Sequence, residues 1–171
     1  RIIKSLSFLK IKIYVLALYE KSDLTRQNFE KYVYIINNIS QRLQKARIKL
    51  GIETNLSTDY LLKFFKNIES RNSFLVYDTG NRLKKNHMQS LEILKLKKKI
   101  IHIHLKDKNF LGKNVIMGNG RVNFISIFKS LKKIAYNGNF VFETPRGEDV
   151  IITMRNNLKF IRRATEEANY K

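Results

Sequence analysis

Glu53, Asp78, His104 and Glu143 are the residues of this chain whose types and spacing could do chemistry. Each stands at or near the end of a short apolar run, and they are separated by 25, 26 and 39 residues. Those are the spacings of successive strand–helix units, so one such group recurs per unit at an equivalent position. Three carboxylates and one imidazole make a hard, oxygen-rich donor set suited to a single divalent ion: Mn²⁺, Mg²⁺, Co²⁺ or Zn²⁺. A lone aspartate after a strand is usually a turn or cap residue. It is the recurrence of all four that points to a shared site.

Groups so far apart in sequence act together only if a fold brings strand ends to one place. The chain alternates β-like runs with stretches of helical period, the pattern of a parallel α/β fold. Strands are expected over residues 11–18, 52–56, 74–78, 100–105 and 139–143. Between them lie helical stretches. Residues 25–50 carry Phe29, Tyr32, Val33, Ile36, Ile39, Leu43 and Ala46 as an apolar stripe, ended by Gly51. Thr58 is expected to cap a helix with Leu61, Leu62, Phe65 and Ile68 inside. Residues 87–98 use Met88, Leu91, Leu94 and Leu96; another helix uses Ile127, Phe128, Leu131 and Ile134; residues 149–164 use Ile152, Met154, Leu158 and Ile161. Five strands each followed by a helix form part of a (β/α)₈ barrel, which needs eight such units and typically about 250 residues. At 171 residues the chain is short by roughly three units. With no linker or low-complexity tract, residues 1–171 read as a single partial barrel domain whose N-terminal βα units are missing; the first residue, Arg1, is not a methionine.

In a parallel barrel the C-terminal strand ends converge on one mouth. Strand alternation places His102, His104 and Lys106 on one face and Ile101, Ile103 and Leu105 on the other. The apolar trio belongs outward, against helices, and the polar trio inward. His104, nearer the mouth, reads as a ligand; His102 reads as an interior histidine satisfied by a hydrogen bond. Gly118 and Gly120 fit a lid over the site or ordinary turn glycines.

The formal net charge is +20, which raises the question of a nucleic-acid partner. Lys and Arg are spread along the chain rather than gathered, and Asn and Ile are abundant beside Lys, as an AT-rich coding sequence would favour. The charge is therefore not read as a nucleic-acid footprint. Cysteine is absent, so neither a disulfide framework nor a thiolate metal site exists, and a cytoplasmic setting is expected. The apolar stretch 11–19 is too short to span a bilayer and is interrupted by Lys12, so no membrane partner is expected.

Five segments occur in order: Gly51-Ile52-Glu53, Tyr77-Asp78-Thr79-Gly80-Asn81, His102-Ile103-His104-Leu105-Lys106-Asp107, the stretch 117–124 with Gly118, Gly120, Val122 and Phe124, and Phe142-Glu143-Thr144-Pro145-Arg146. Together they resemble the xylose isomerase-like TIM-barrel superfamily of sugar phosphate isomerases and epimerases, in the branch of hexulose-6-phosphate isomerase and L-ribulose-5-phosphate 3-epimerase-like proteins. The resemblance aligns the chain with barrel strands four to eight. It implies that Glu53 and Glu143 are both metal ligands and the acid/base pair, with Asp78 and His104 completing the metal site. It implies proton transfer through an enediolate of a sugar or sugar phosphate. Two positions depart from the epimerases: Phe110 stands where an arginine is common and Asn81 where a substrate-binding histidine is common. Lys106, Arg146 and Asn81 are then the candidates for substrate contact. Two competing readings stay open. One is an apurinic endonuclease-like phosphodiesterase of the same superfamily, which wants more metal ligands than three histidines allow. The other is a non-catalytic barrel fragment, which alone should be poorly soluble or a homo-oligomer.

Overall fold

The computed structural model describes residues 1–83 and 88–170, in two compact units whose boundary, between Val76 and Tyr77, falls inside a strand. The first unit opens with helix α1 (Ile2–Phe8), which the sequence pattern does not announce. Strand β1 (Ile13–Leu18), helix α2 (Phe29–Lys45), strand β2 (Lys49–Thr54), helix α3 (Thr58–Asn67) and strand β3 (Ser73–Asp78) follow. β1 and β2 pair in parallel, Ile13 beside Lys49 through Leu18 beside Thr54, and β2 pairs in parallel with β3. Every residue of β2 after Lys49 is buried, as a parallel strand covered on both faces requires. Ile36, Leu50, Ile52, Leu61, Phe64 and Leu75 form the centre of this unit with no measurable exposure. Each contributes about 1.5–3 kcal/mol by leaving water. Phe29 meets Phe64 edge to face at 5.5 Å.

The second unit takes the last two residues of β3, then helix α4 (Gln89–Leu96), strand β4 (Ile100–Leu105), a small antiparallel hairpin of β5 (Asp107–Lys108) and β6 (Asn114–Val115), helix α5 (Phe124–Lys133), strand β7 (Asn139–Phe142) and helix α6 (Val150–Glu167). β4 pairs in parallel with β7, His104 beside Val141. Ile103, Leu105, Ile127, Phe128 and Leu131 make its core. Tyr136, Phe140 and Tyr170 cluster with Phe128 at one end. Among the described residues no helix is long and apolar enough to cross a membrane.

Several local expectations need correction. Gly51 does not end α2: the chain turns at Ala46 and Arg47, the latter at φ 59°, and Gly51 lies within β2. Its role is close approach, because a Cβ there would stand 2.6 Å from Val76 Cγ2. Gly51→Ala should therefore lower stability by about 1–3 kcal/mol through overpacking, and an unchanged urea midpoint would refute that. Ser57, not Thr58, is the N-cap of α3, since Ser57 still holds the extended backbone of the strand exit. Phe64 is buried on α3 where Leu62 was expected, and Leu62 is exposed.

On α4 the buried set is Gln89, Glu92, Ile93 and Leu96, while Met88 and Leu91 face solvent; the helix turns inward the polar groups that its neighbours need. His87 lies outside the described residues. On α6 the inner stripe is Thr153, Asn157, Ile161 and Ala164, with Ile152, Met154 and Leu158 exposed. The cause is Asn157, fully buried, which accepts the Met117 N–H at 3.1 Å and donates to Thr144 Oγ1 at 3.0 Å.

Candidate metal centre

Asp78 is the last residue of β3 and is fully buried. The turn after it folds back so that the amides of Gly80 (2.9 Å) and Asn81 (2.7 Å) both donate to Asp78 Oδ1. This is an aspartate turn, in which the side chain bonds to its own backbone, and it fixes the carboxylate with Oδ2 turned to the site. Thr79 stitches the turn to the end of β4. Its amide donates to the His104 carbonyl at 3.0 Å, its hydroxyl donates to the Lys106 carbonyl at 2.6 Å, and that same hydroxyl accepts the Lys106 N–H at 2.9 Å.

His104 lies on β4 as alternation required, sharing a face with His102, whose ring it meets edge to face at 5.2 Å. Ile103 and Leu105 are buried on the opposite face. Glu143 follows β7 immediately, its amide donating to the Leu105 carbonyl at 3.0 Å. His104 Nδ1 and Glu143 Oε2 are 3.1 Å apart. Asp78, His104 and Glu143 each offer a ligand atom within 4.8 Å of the others.

Lys106 enters the same cluster. Its ammonium lies 2.8 Å from Asp78 Oδ2 and 2.9 Å from Glu143 Oε1, and the residue is 5% exposed. Burial pushes this ammonium toward losing its proton. The hydrogen bond and charge of Asp78, and then those of Glu143, outweigh burial and leave its pKa above the ordinary lysine value.

Glu53 belongs to the first unit, near the end of β2, where it is buried. The Tyr19 hydroxyl, just past β1, donates to Glu53 Oε1 at 3.1 Å. Of the other candidates, Asn81 is half-buried in the Asp78 turn, and Arg146 is exposed in the loop after β7.

Sequence reasoning missed three supports. Tyr19 was hidden at the end of an apolar run. Asp107 accepts the amides of Lys108, Gly118, Gly120 and Val122 at 2.9–3.1 Å, so the two glycines are turn residues of a latched loop. Behind Asp78, buried Arg82 and Glu92 form an ion pair, with Arg82 Nε donating to Glu92 Oε2 at 2.8 Å and the Tyr77 hydroxyl donating to the same oxygen at 2.9 Å. Burial, and then the Glu92 charge, hold the Tyr77 hydroxyl well above its ordinary pKa.

Known proteins are similar to this chain in fold. A solved structure of L-ribulose 3-epimerase superposes with a TM-score of 0.82 at 19% identity, covering 98% of this chain and 65% of that one. A xylose isomerase-like TIM barrel protein from Mycobacterium smegmatis, in complex with magnesium, superposes with a TM-score of 0.73 at 14% identity, again covering 98% and 65%. An uncharacterised protein of Methanocaldococcus jannaschii is 26% identical over 141 residues, 76% of this chain and 47% of the relative. The chain thus spans about half the length of that curated relative and 65% of each of the two structures. The superpositions give the expected α/β barrel fold. The xylose isomerase-like TIM barrel profile matches residues 1–164, and the chain belongs to that family.

Proposed function

We propose that this chain is part of a metal-dependent isomerase or epimerase acting on a sugar or sugar phosphate. Residues 1–171 would be the C-terminal portion of one barrel domain, working in the cytoplasm. Glu53, Asp78, His104 and Glu143 would hold the ion, and Glu53 and Glu143 would move protons. The observation that carries the reading is the meeting of Asp78, His104 and Glu143 ligand atoms within 4.8 Å at strand ends. The magnesium held by the mycobacterial protein and the 3-epimerase activity of another structural relative support it.

The residues present fit a divalent ion. Asp78 spends Oδ1 on two amides and keeps Oδ2 toward the cluster, and oxygen with one imidazole nitrogen suits Mn²⁺, Mg²⁺, Co²⁺ or Zn²⁺. A bound dication would polarise the sugar carbonyl and ease ionisation of the neighbouring C–H.

The chain's own residues would do the rest. Glu143, half-exposed, takes the proton from the carbon beside the carbonyl; the C–H electron pair forms the C=C bond and the carbonyl π pair moves to its oxygen, giving an enediolate. Glu53, oriented by Tyr19, returns a proton, to the same carbon in epimerisation or to its neighbour in isomerisation. Lys106, Asn81 and Arg146 bind substrate oxygens.

The test is incubation of ketoses and ketose phosphates with the protein and Mn²⁺ in D₂O, followed by NMR. Deuterium entering at C2 or C3 is the expected result. Turnover without deuterium would replace proton transfer by hydride transfer, and no turnover of any sugar would remove the reading.

A further inference from the structure

Lys106 is a buried cation placed where the metal reading needs the carboxylates to be available. Asp78 Oδ1 is committed to two amides, so an ion bound by Asp78 would use Oδ2, and that is the oxygen the Lys106 ammonium meets at 2.8 Å. The same ammonium takes Glu143 Oε1 at 2.9 Å, while Oε2 lies beside His104. Its position is built rather than incidental. The Lys106 stem lies along Gly80, where a Cβ would meet Lys106 Cγ at 2.7 Å and Cδ at 3.0 Å. The backbone of Lys106 is pinned at both its N–H and its carbonyl by the Thr79 hydroxyl.

We propose that Lys106 is the resident counter-cation of this site, holding Asp78 and Glu143 together in the metal-free protein and giving up those oxygens when a divalent ion binds. The proposal rests on the metal-site reading above. Two carboxylates side by side, Asp78 buried and Glu143 half-exposed, repel each other, and an ammonium between them relieves that repulsion. A dication at about 2.0–2.2 Å from the same oxygens does so more strongly, and then repels the ammonium beside it. The displaced ammonium, on a four-carbon stem, moves out from the carboxylates toward the ligand side, where it can meet a substrate oxygen or phosphate. Metal loading would thus arm the substrate contact. An empty site would spend its lysine on itself.

Competition makes an unusual prediction: removing a positive charge by deleting a site residue should tighten metal binding. The experiment is calorimetric titration of the protein with Mn²⁺ alone, comparing wild type, Lys106→Met, Gly80→Ala and the control Lys113→Met. Lys106→Met should bind Mn²⁺ about tenfold more tightly, and its metal-free melting temperature should fall and recover when Mn²⁺ is added. Gly80→Ala keeps the charge but crowds the stem, so it should also bind more tightly, and it keeps the test usable if Lys106→Met does not fold. Lys113 is exposed in the hairpin, and Lys113→Met should leave affinity within about twofold. Equal or weaker binding by Lys106→Met and Gly80→Ala, or an equal gain in Lys113→Met, would overturn the proposal while leaving the metal reading intact. No Mn²⁺ binding by any of the four proteins would overturn both.

Discussion

Glu143→Gln is expected to lower sugar turnover by about 10²–10⁴-fold, and Glu53→Gln by a similar factor. Glutamine keeps the shape of the side chain but can neither accept the carbon proton nor return it. It also weakens the donor set, so the loss should be larger where Mn²⁺ affinity falls as well. The two contributions separate experimentally: saturating Mn²⁺ should restore binding, measured by calorimetry, without restoring the rate. Glu143 is the more telling position, because its side chain is half-exposed and its backbone is fixed by the Leu105 carbonyl, so folding should survive the change. Turnover within a few-fold of wild type for either variant would remove that glutamate from the proton-transfer role.

Glu92→Ala should cost about 3–5 kcal/mol, because it removes a buried carboxylate that the Arg82 guanidinium, 2% exposed, and the Tyr77 hydroxyl both meet. For a chain of this size that corresponds to a fall in melting temperature of roughly 10 °C. Arg82 follows the Asp78 turn and Glu92 lies on α4, and the Arg82 amide donates to the Asp78 carbonyl at 3.1 Å. The damage should therefore reach the Mn²⁺ affinity as well as the melting point. Replacing both partners by apolar residues, Arg82→Met with Glu92→Leu, should recover most of the stability, since the desolvation cost of both charges then disappears. A melting temperature for Glu92→Ala within about 2 °C of wild type would show that the pair contributes little.

What was legible in the sequence was the pattern that strands impose. Period-two alternation put His104 and Lys106 opposite Ile103 and Leu105, and the structure keeps them so. Asp78 ends β3 and Glu143 follows β7 because polar groups can stand where a buried strand gives way to a loop. Helix faces were read less well, and α6 shows why. Periodicity identifies the inner face by hydrophobicity, but here the inner face is chosen by Asn157 and Thr153. A buried amide with partners on two loops outweighs the transfer of a few apolar side chains that stay exposed. The Arg82–Glu92 pair and the Asp107 latch were illegible for the same reason. A charged residue in a helix or loop reads as solvated unless its partner, distant in sequence, is known.

The Asp107 latch has a consequence for how such a loop can change over generations. Its carboxylate grips four backbone amides, and backbone amides are present whatever the side chains are. Gly120, whose Cβ would fall 2.1 Å from Asp107 Oδ1, Gly118, at φ 88° against Phe160, and Gly112, at φ 75°, are tied to their identity. Phe110, Leu111 and Lys113 can be rewritten freely without loosening the anchor beside Lys106. Selection can therefore try new side chains at the tip of this loop at little cost to folding, which leaves the chain free to diverge in what it recognises while its centre stays as it is.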